Sequence, residues 1–195
     1  MATLELTSQD VLDSWFGARG SPQYGTRRKP WFRKSDAFDQ EIRERFLDLY
    51  EAASSGDLIA WDASRYSLLA LIIVLDQFPR NMFRGTGRAF ASDAQALKAA
   101  QRMVERGWDQ TLLPVERQFA YLPFQHAEDL SMQQRALDLF GSIAADAAYA
   151  DLVVSSRRHY DIIARFGRFP HRNALLERAS SAVEEEFLAQ PGSSF

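Results

Sequence analysis

The chain has no cysteine, which excludes disulfides, thiol nucleophiles and cysteine-ligated zinc or iron–sulfur centres. That absence also suits a reducing compartment, and a cytoplasmic location is expected. Long apolar runs are missing too. The longest, Leu68 to Leu75, spans eight residues, against about 20 for a membrane-crossing helix, so no membrane association is expected. The amino terminus, Met1-Ala2-Thr3-Leu4-Glu5-Leu6, lacks the basic cluster and apolar core of a secretory signal. Neither sign of charge dominates: 23 Lys and Arg face 26 Asp and Glu, a formal net charge of -3, which describes an ordinary mixed surface rather than a polyelectrolyte binder.

Other absences narrow the chemistry. There is no Gly-x-Ser-x-Gly nucleophile elbow. Gly85-Thr86-Gly87 lacks the lysine and the strand-to-helix setting of a phosphate loop, so no cofactor is indicated. No two histidines stand four apart, and a metal centre is not expected. The basic-aromatic string Arg27-Arg28-Lys29 with Trp31-Phe32-Arg33-Lys34 is followed at once by the acidic run Asp36 to Glu44. A solvated loop pinned back by Trp31 and Phe32 is expected there, and nucleic acid is not an expected partner.

What is present is helical periodicity. Phe38, Ile42, Phe46, Leu49 and Ala53 recur at steps of three and four, the stripe of an amphipathic helix, with Ser35 as its cap and Gly56 beyond its end. The all-apolar Leu68–Leu75 run predicts a buried helix from Ser64 to Phe78 that ends at Pro79. Ser92-Asp93 opens a helix running toward Gly107, with Leu97, Ala100 and Val104 on its apolar face. Pro114 starts another, with Val115, Phe119 and Leu122. Two more are expected over Ser131 to Ala145 and over Asp151 to Phe166. Glu184-Glu185-Glu186 reads as a solvated first turn behind Ser180 or Ser181. No period-two strand appears. Short connections between helices predict a single all-α domain over residues 1–195, built of stacked antiparallel helical hairpins as a compact bundle or a short right-handed superhelix.

Two helix exits share nearly the same wording: Leu75-Asp76-Gln77-Phe78-Pro79-Arg80-Asn81 and Phe166-Gly167-Arg168-Phe169-Pro170-His171-Arg172-Asn173. Each sets an aromatic, a proline, an arginine and an asparagine where helix backbone groups lack partners. Arginine forks match carboxylate and phosphate. If the exits face one another, Arg80, Arg168 and Arg172 would contact a small anion or an acidic peptide end, Asn81 and Asn173 would orient it, and His171 or His159 would add pH sensitivity. The same groups admit a buried structural network. They also admit a hydrolase, with His126 or His171 as acid–base and Asp76 or Glu128 as its partner. A third reading is a helical scaffold whose groove receives a partner helix or peptide. His159 shares a helix face with Leu152 and Phe166, so its ring should point inward, either as a satisfied core histidine or as the wall of a cavity. Glu128 and Asp129 are expected to cap the helix that starts near Leu130. Composition and periodicity leave the oligomeric state open.

Five ordered strings carry a resemblance. Val11-Leu12-Asp13-Ser14-Trp15-Phe16-Gly17, Trp31-Phe32 with Phe38-Asp39 and Ile42-Arg43, the first exit, Leu122-Pro123-Phe124-Gln125-His126, and the second exit together resemble DUF924, a bacterial family of unknown function. The resemblance implies an all-helical, tetratricopeptide-like fold and no established activity. It also marks departures: the family pattern has glutamate and serine where this chain has Gln125 and Ala127, and glycine where it has Glu177. Gln125 removes a possible carboxylate, which weakens a catalytic or metal-binding role for that position, whereas the arginine and asparagine positions match.

Overall fold

Helix periodicity is realised throughout the computed structural model, which describes residues 6–31 and 33–194; Phe32, Phe195 and Met1 to Glu5 lie outside the described residues. Eight α-helices are present among the described residues, with short 3-10 turns between them and no strand. They are α1 (Ser8–Phe16), α2 (Asp36–Ser55), α3 (Arg65–Met82), α4 (Asp93–Glu105), α5 (Pro114–His126), α6 (Leu130–Ile143), α7 (Ala150–Phe166) and α8 (Ala182–Leu188). No described helix is long and apolar enough to cross a membrane. The described residues group into two compact units, one of residues 6–84 and 89–123 and the other of residues 85–88 and 124–194.

In the first unit α3 is packed by α1, α2 and α4. That is why it carries no polar face: every residue from Leu68 to Leu75 is buried. Local signals set the neighbouring helix as expected. The Ser35 hydroxyl accepts the Phe38 N–H at the start of α2, and Ile42, Phe46, Leu49 and Ala53 form its buried stripe. On α4 the buried residues are Ala96, Ala99, Ala100 and Met103, so the face is turned slightly from the expected Leu97 and Val104. Small side chains along it allow close approach to α3.

The expected stop at Pro79 is not where α3 ends; the helix continues to Met82. A proline inside a helix leaves the carbonyl four residues earlier without its N–H partner. Here that carbonyl belongs to Leu75, and the buried Ser92 hydroxyl donates to it at 2.6 Å. Ser92 therefore mends α3 rather than capping α4, whose first turn receives no side-chain bond from it.

The loop before α2 is anchored as expected by Trp31. Its indole N–H donates to the Trp15 carbonyl at 3.1 Å, its ring stacks on Trp15, and its edge contact with Phe119 has centroids 4.8 Å apart. Arg28 adds two bonds to the Ser14 and Trp15 carbonyls at the end of α1. This ties one member of the basic string to a helix terminus.

In the second unit α6 packs on α7. Asp129 caps α6 by accepting the Met132 N–H at 3.0 Å. Gly167, left-handed at φ 69°, ends α7 and turns the chain into the second exit. Gly87 lies so close to the Leu175 carbonyl that a Cβ would come within 2.5 Å of that oxygen; only glycine allows the 85–88 segment to lie there.

Candidate functional site

The first exit is tied within its own unit. Arg80 grips Asp93 with two parallel bonds of 2.9 and 3.0 Å and stands 3.5 Å from the fully buried Asp76 carboxylate. Burial works against the Arg80 charge, yet the two carboxylates outweigh it and hold the guanidinium above its ordinary pKa. Gln77 donates to Asp76 as well. Asn81 donates to Asp39 of α2 at 2.7 Å, and Arg84 clamps the same carboxylate at 2.7 and 2.9 Å. Asp76, Arg80 and Asn81 therefore stitch α3 to α4 and α2.

At the second exit two of the named residues serve as ties and the others gather round one ring. Arg168 binds both oxygens of Glu184 at 2.6 and 2.7 Å and also reaches the Ala179 carbonyl. The expected solvated Glu184 is instead buried. It completes the Ser181 capping box of α8, and Arg168 with the Ser181 N–H holds its carboxyl well below the usual range. Asn173 accepts Arg178 Nε at 3.1 Å and donates to the Ser180 hydroxyl.

Phe169, fully buried, is the centre of the remaining cluster. His159 meets it edge-on and His171 lies tilted against it, each with centroids 5.6 Å away, and the Arg172 guanidinium sits 4.5 Å from its centroid. Both a stacked guanidinium and an edge-on imidazole are favourable on a phenyl ring. His126, at the end of α5, is close enough to act on the His159 charge. The chain's three histidines thus come together from α5, α7 and the exit turn. His159 and Arg172 are buried; His126 and His171 are half-buried.

Glu128 was expected to cap α6, and that reading is corrected: its carboxylate accepts the Phe169 N–H at 2.8 Å and a fork from Arg178 at 2.6 and 3.0 Å. Arg178, the member that pattern reading missed, also reaches the Phe169 carbonyl at 3.3 Å. Partial burial raises the Glu128 pKa, but Arg178, the Phe169 N–H and Arg172 lower it further, and the carboxyl ends below its ordinary value.

The signal for Arg178 lay beside it. Glu177 is left-handed, with φ 54°, at the position where the resemblance implies a glycine, and Arg178 beside it reaches the Phe169 carbonyl. A left-handed backbone costs a non-glycine residue about 1–2 kcal/mol, partly offset by the extra chain entropy that glycine loses. Glu177→Gly is therefore expected to raise stability by about 0.5–1 kcal/mol, read as a higher urea midpoint at unchanged slope.

The electrostatics favour neutral imidazoles. His159 is pushed down to about 3, first by burial and then by His126, Arg172 and His171, against a bond from its Nδ1 to the Ser155 carbonyl at 2.9 Å. A carbonyl can only accept, so Nδ1 carries the proton and Nε2 presents a lone pair. His171 is pushed down to about 4 by burial and by Arg172 and Arg178, with Glu128 pulling the other way. Among the described residues no three His, Asp or Glu side chains are grouped to hold a metal ion. A separate open recess of about 540 Å³ is lined by Arg165, Phe166, Arg168, Ser181, Val183 and Glu184. Its Arg168 is already engaged by Glu184.

Residues 11–192 match the family described as bacterial protein of unknown function (DUF924). The fold is similar to that of a protein of unknown function from Agrobacterium tumefaciens, with 40% sequence identity, a TM-score of 0.81, and coverage of 93% of this chain and 96% of that one. No curated protein matches.

Proposed function

The chain belongs to the DUF924 family of bacterial proteins, and from the geometry of its second helix exit we propose that it is a receptor for a small anionic molecule or an acidic peptide end. The observation that carries this reading is the gathering of His159, His171 and Arg172 about Phe169, with His126 close enough to act on the His159 charge. Such a cluster offers hydrogen-bond donors and positive potential on an apolar floor. His171 and His126, half-buried, are the members a solute can reach.

Arg172 is the anion contact in this reading, His171 and His126 the polar partners. Arg168 and Asn173 hold the exit in shape, through Glu184 and Ser180 respectively. Binding is better supported than hydrolysis because imidazoles held at about 3 and 4 are weak bases at neutral pH. The carboxylate that acts on His171, Glu128, is occupied by Arg178 and the Phe169 N–H. We further read the helices as tetratricopeptide-like hairpins, supported by the pairing of sequential helices α2 with α3, α3 with α4, and α6 with α7.

A thermal-shift screen of the full chain against phosphate, sulfate, mono- and dicarboxylates, nucleotides and divalent cations tests the reading. An anion at about one hundred times its dissociation constant adds about 2.7 kcal/mol to stability, a rise in Tm of about 5–10 °C for a chain of this size. Arg172→Gln is expected to abolish the rise while unfolding remains cooperative. Silence from every anion, or an undiminished response in Arg172→Gln, refutes the proposal.

A further inference from the structure

We infer, on the basis of the receptor reading above, that anion binding at the second exit is coupled to proton uptake by His171, so that the site holds its ligand more tightly in acid than at neutral pH. The argument starts from placement. His171 is half-buried against the Phe169 ring, with Arg172 and Arg178 repelling a charge on it and Glu128 attracting one. His159 meets the same ring edge-on, buried and pinned through Nδ1 to the Ser155 carbonyl. It feels His126, Arg172 and His171.

An anion entering beside Arg172 reverses the balance at His171. It adds a negative charge where two guanidinium groups had disfavoured the imidazolium, and it shields the imidazole from them. An opposite charge within about 4–6 Å is enough to move a titration upward by about one to three pH units. His171, which titrates at about 4 in the free protein, would then be protonated in the complex under mildly acidic conditions. His171 is the better acceptor of the two because it is the more exposed. By linkage, affinity rises about tenfold for each pH unit lost between the free and the bound titration points.

Sulfate is the probe of choice because its own charge is constant across this range. Calorimetry of the full chain with sulfate near pH 5 and near pH 7.5, each in two buffers of different ionisation enthalpy, reads both affinity and protons exchanged. The expected result is at least tenfold tighter binding near pH 5, with close to one proton taken up per sulfate at an intermediate pH, and a nearly flat pH profile in His171→Gln. Following the His171 ring resonances of the unaltered chain by NMR, with and without sulfate, covers the case in which His171→Gln does not fold. An upward move of about two pH units or more is expected. Equal sulfate affinity at both pH values, an unmoved His171 titration, or a pH profile that His171→Gln leaves intact overturns the coupling while the receptor reading stands. Absence of sulfate binding at either pH overturns the coupling; when the other anions of the screen are silent as well, the receptor reading falls with it.

Discussion

Phe169→Ala is expected to cost about 3–5 kcal/mol of folding stability and to abolish any anion-induced rise in Tm. The ring is fully buried and packs with Ile162 and Ile163 of α7. Its removal would leave a cavity at the point where α7 meets the exit turn. It would also leave the Arg172 guanidinium, now 4.5 Å from the ring centroid, without its aromatic face in a site where the charge is largely desolvated. His159 would lose the edge contact that helps bury it, so its titration should climb from about 3 toward the ordinary histidine value. Phe169→Leu separates the two contributions. It restores most of the volume and should cost only about 1–1.5 kcal/mol, yet it removes the π face and should still weaken binding. Denaturant unfolding and His159 NMR titration of both variants read the result. A loss below about 1.5 kcal/mol in Phe169→Ala would show that the ring is not the keystone of this cluster.

Where signals are local, pattern and structure agree. The three-and-four spacing of Ile42, Phe46, Leu49 and Ala53, the Ser35 cap, the Pro114 start and the Gly167 stop are each decided within one or two helical turns, and each appears in the structure as the pattern predicts. The apolar run of α3 was legible as a buried helix, but its end was not. The compensation for Pro79 comes from Ser92, on the far side of a turn, and no local rule contains it. Glu128 and Glu184 show the same limit. Both sit where a helix dipole would welcome them, and both are drawn into pairs with arginines 50 and 16 positions away. A fork of two hydrogen bonds to a guanidinium outweighs a dipole contribution of about 0.3–1 kcal/mol.

The site divides along the same line. The aromatic, arginine and histidine of the second exit could be named from the repeated string, because composition marks chemistry. The entry of Arg178 into the cluster goes with the left-handed backbone at Glu177, which no spacing or composition rule marks. Asn81 and Asn173 looked like orienting groups and prove to be joints. An asparagine has donors and an acceptor on one short arm, which suits the pinning of Asp39 on one side and of Arg178 and Ser180 on the other.

Acidification should destabilise the chain through its two depressed histidines, and His159→Gln should remove about half of that loss, His171 supplying the rest. The imidazole is held down to about 3 in the folded protein, first by burial, whereas in the unfolded chain it titrates near its ordinary value of about 6.5. The unfolded state therefore binds the proton first as pH falls, and stability contributed by the neutral ring is complete above about pH 6.5 and is lost progressively toward the folded-state value. Between about pH 7 and pH 5 the unfolded form gains nearly one proton at this site and the folded form almost none, a loss of about 2 kcal/mol from His159 alone. Carboxylates act in the same direction only at lower pH. Glu128 and Asp129 are held below their ordinary values, Glu128 by Arg178 and Asp129 by Ser131 and the Met132 N–H. Their contribution is present above the unfolded carboxylate range and disappears as pH falls through it. The two regimes are thus separable in one experiment. Urea unfolding at steps from about pH 7.5 to pH 5 should show a steady fall in the unaltered chain, a fall about half as steep in His159→Gln and a nearly flat line once His171→Gln is added, the slopes of parent and His159→Gln converging only as pH approaches about 3. A histidine variant whose stability falls as steeply as that of the parent across that upper range would mean that His159 is already protonated in the folded protein. The neutral imidazole cluster around Phe169 would then have to be abandoned.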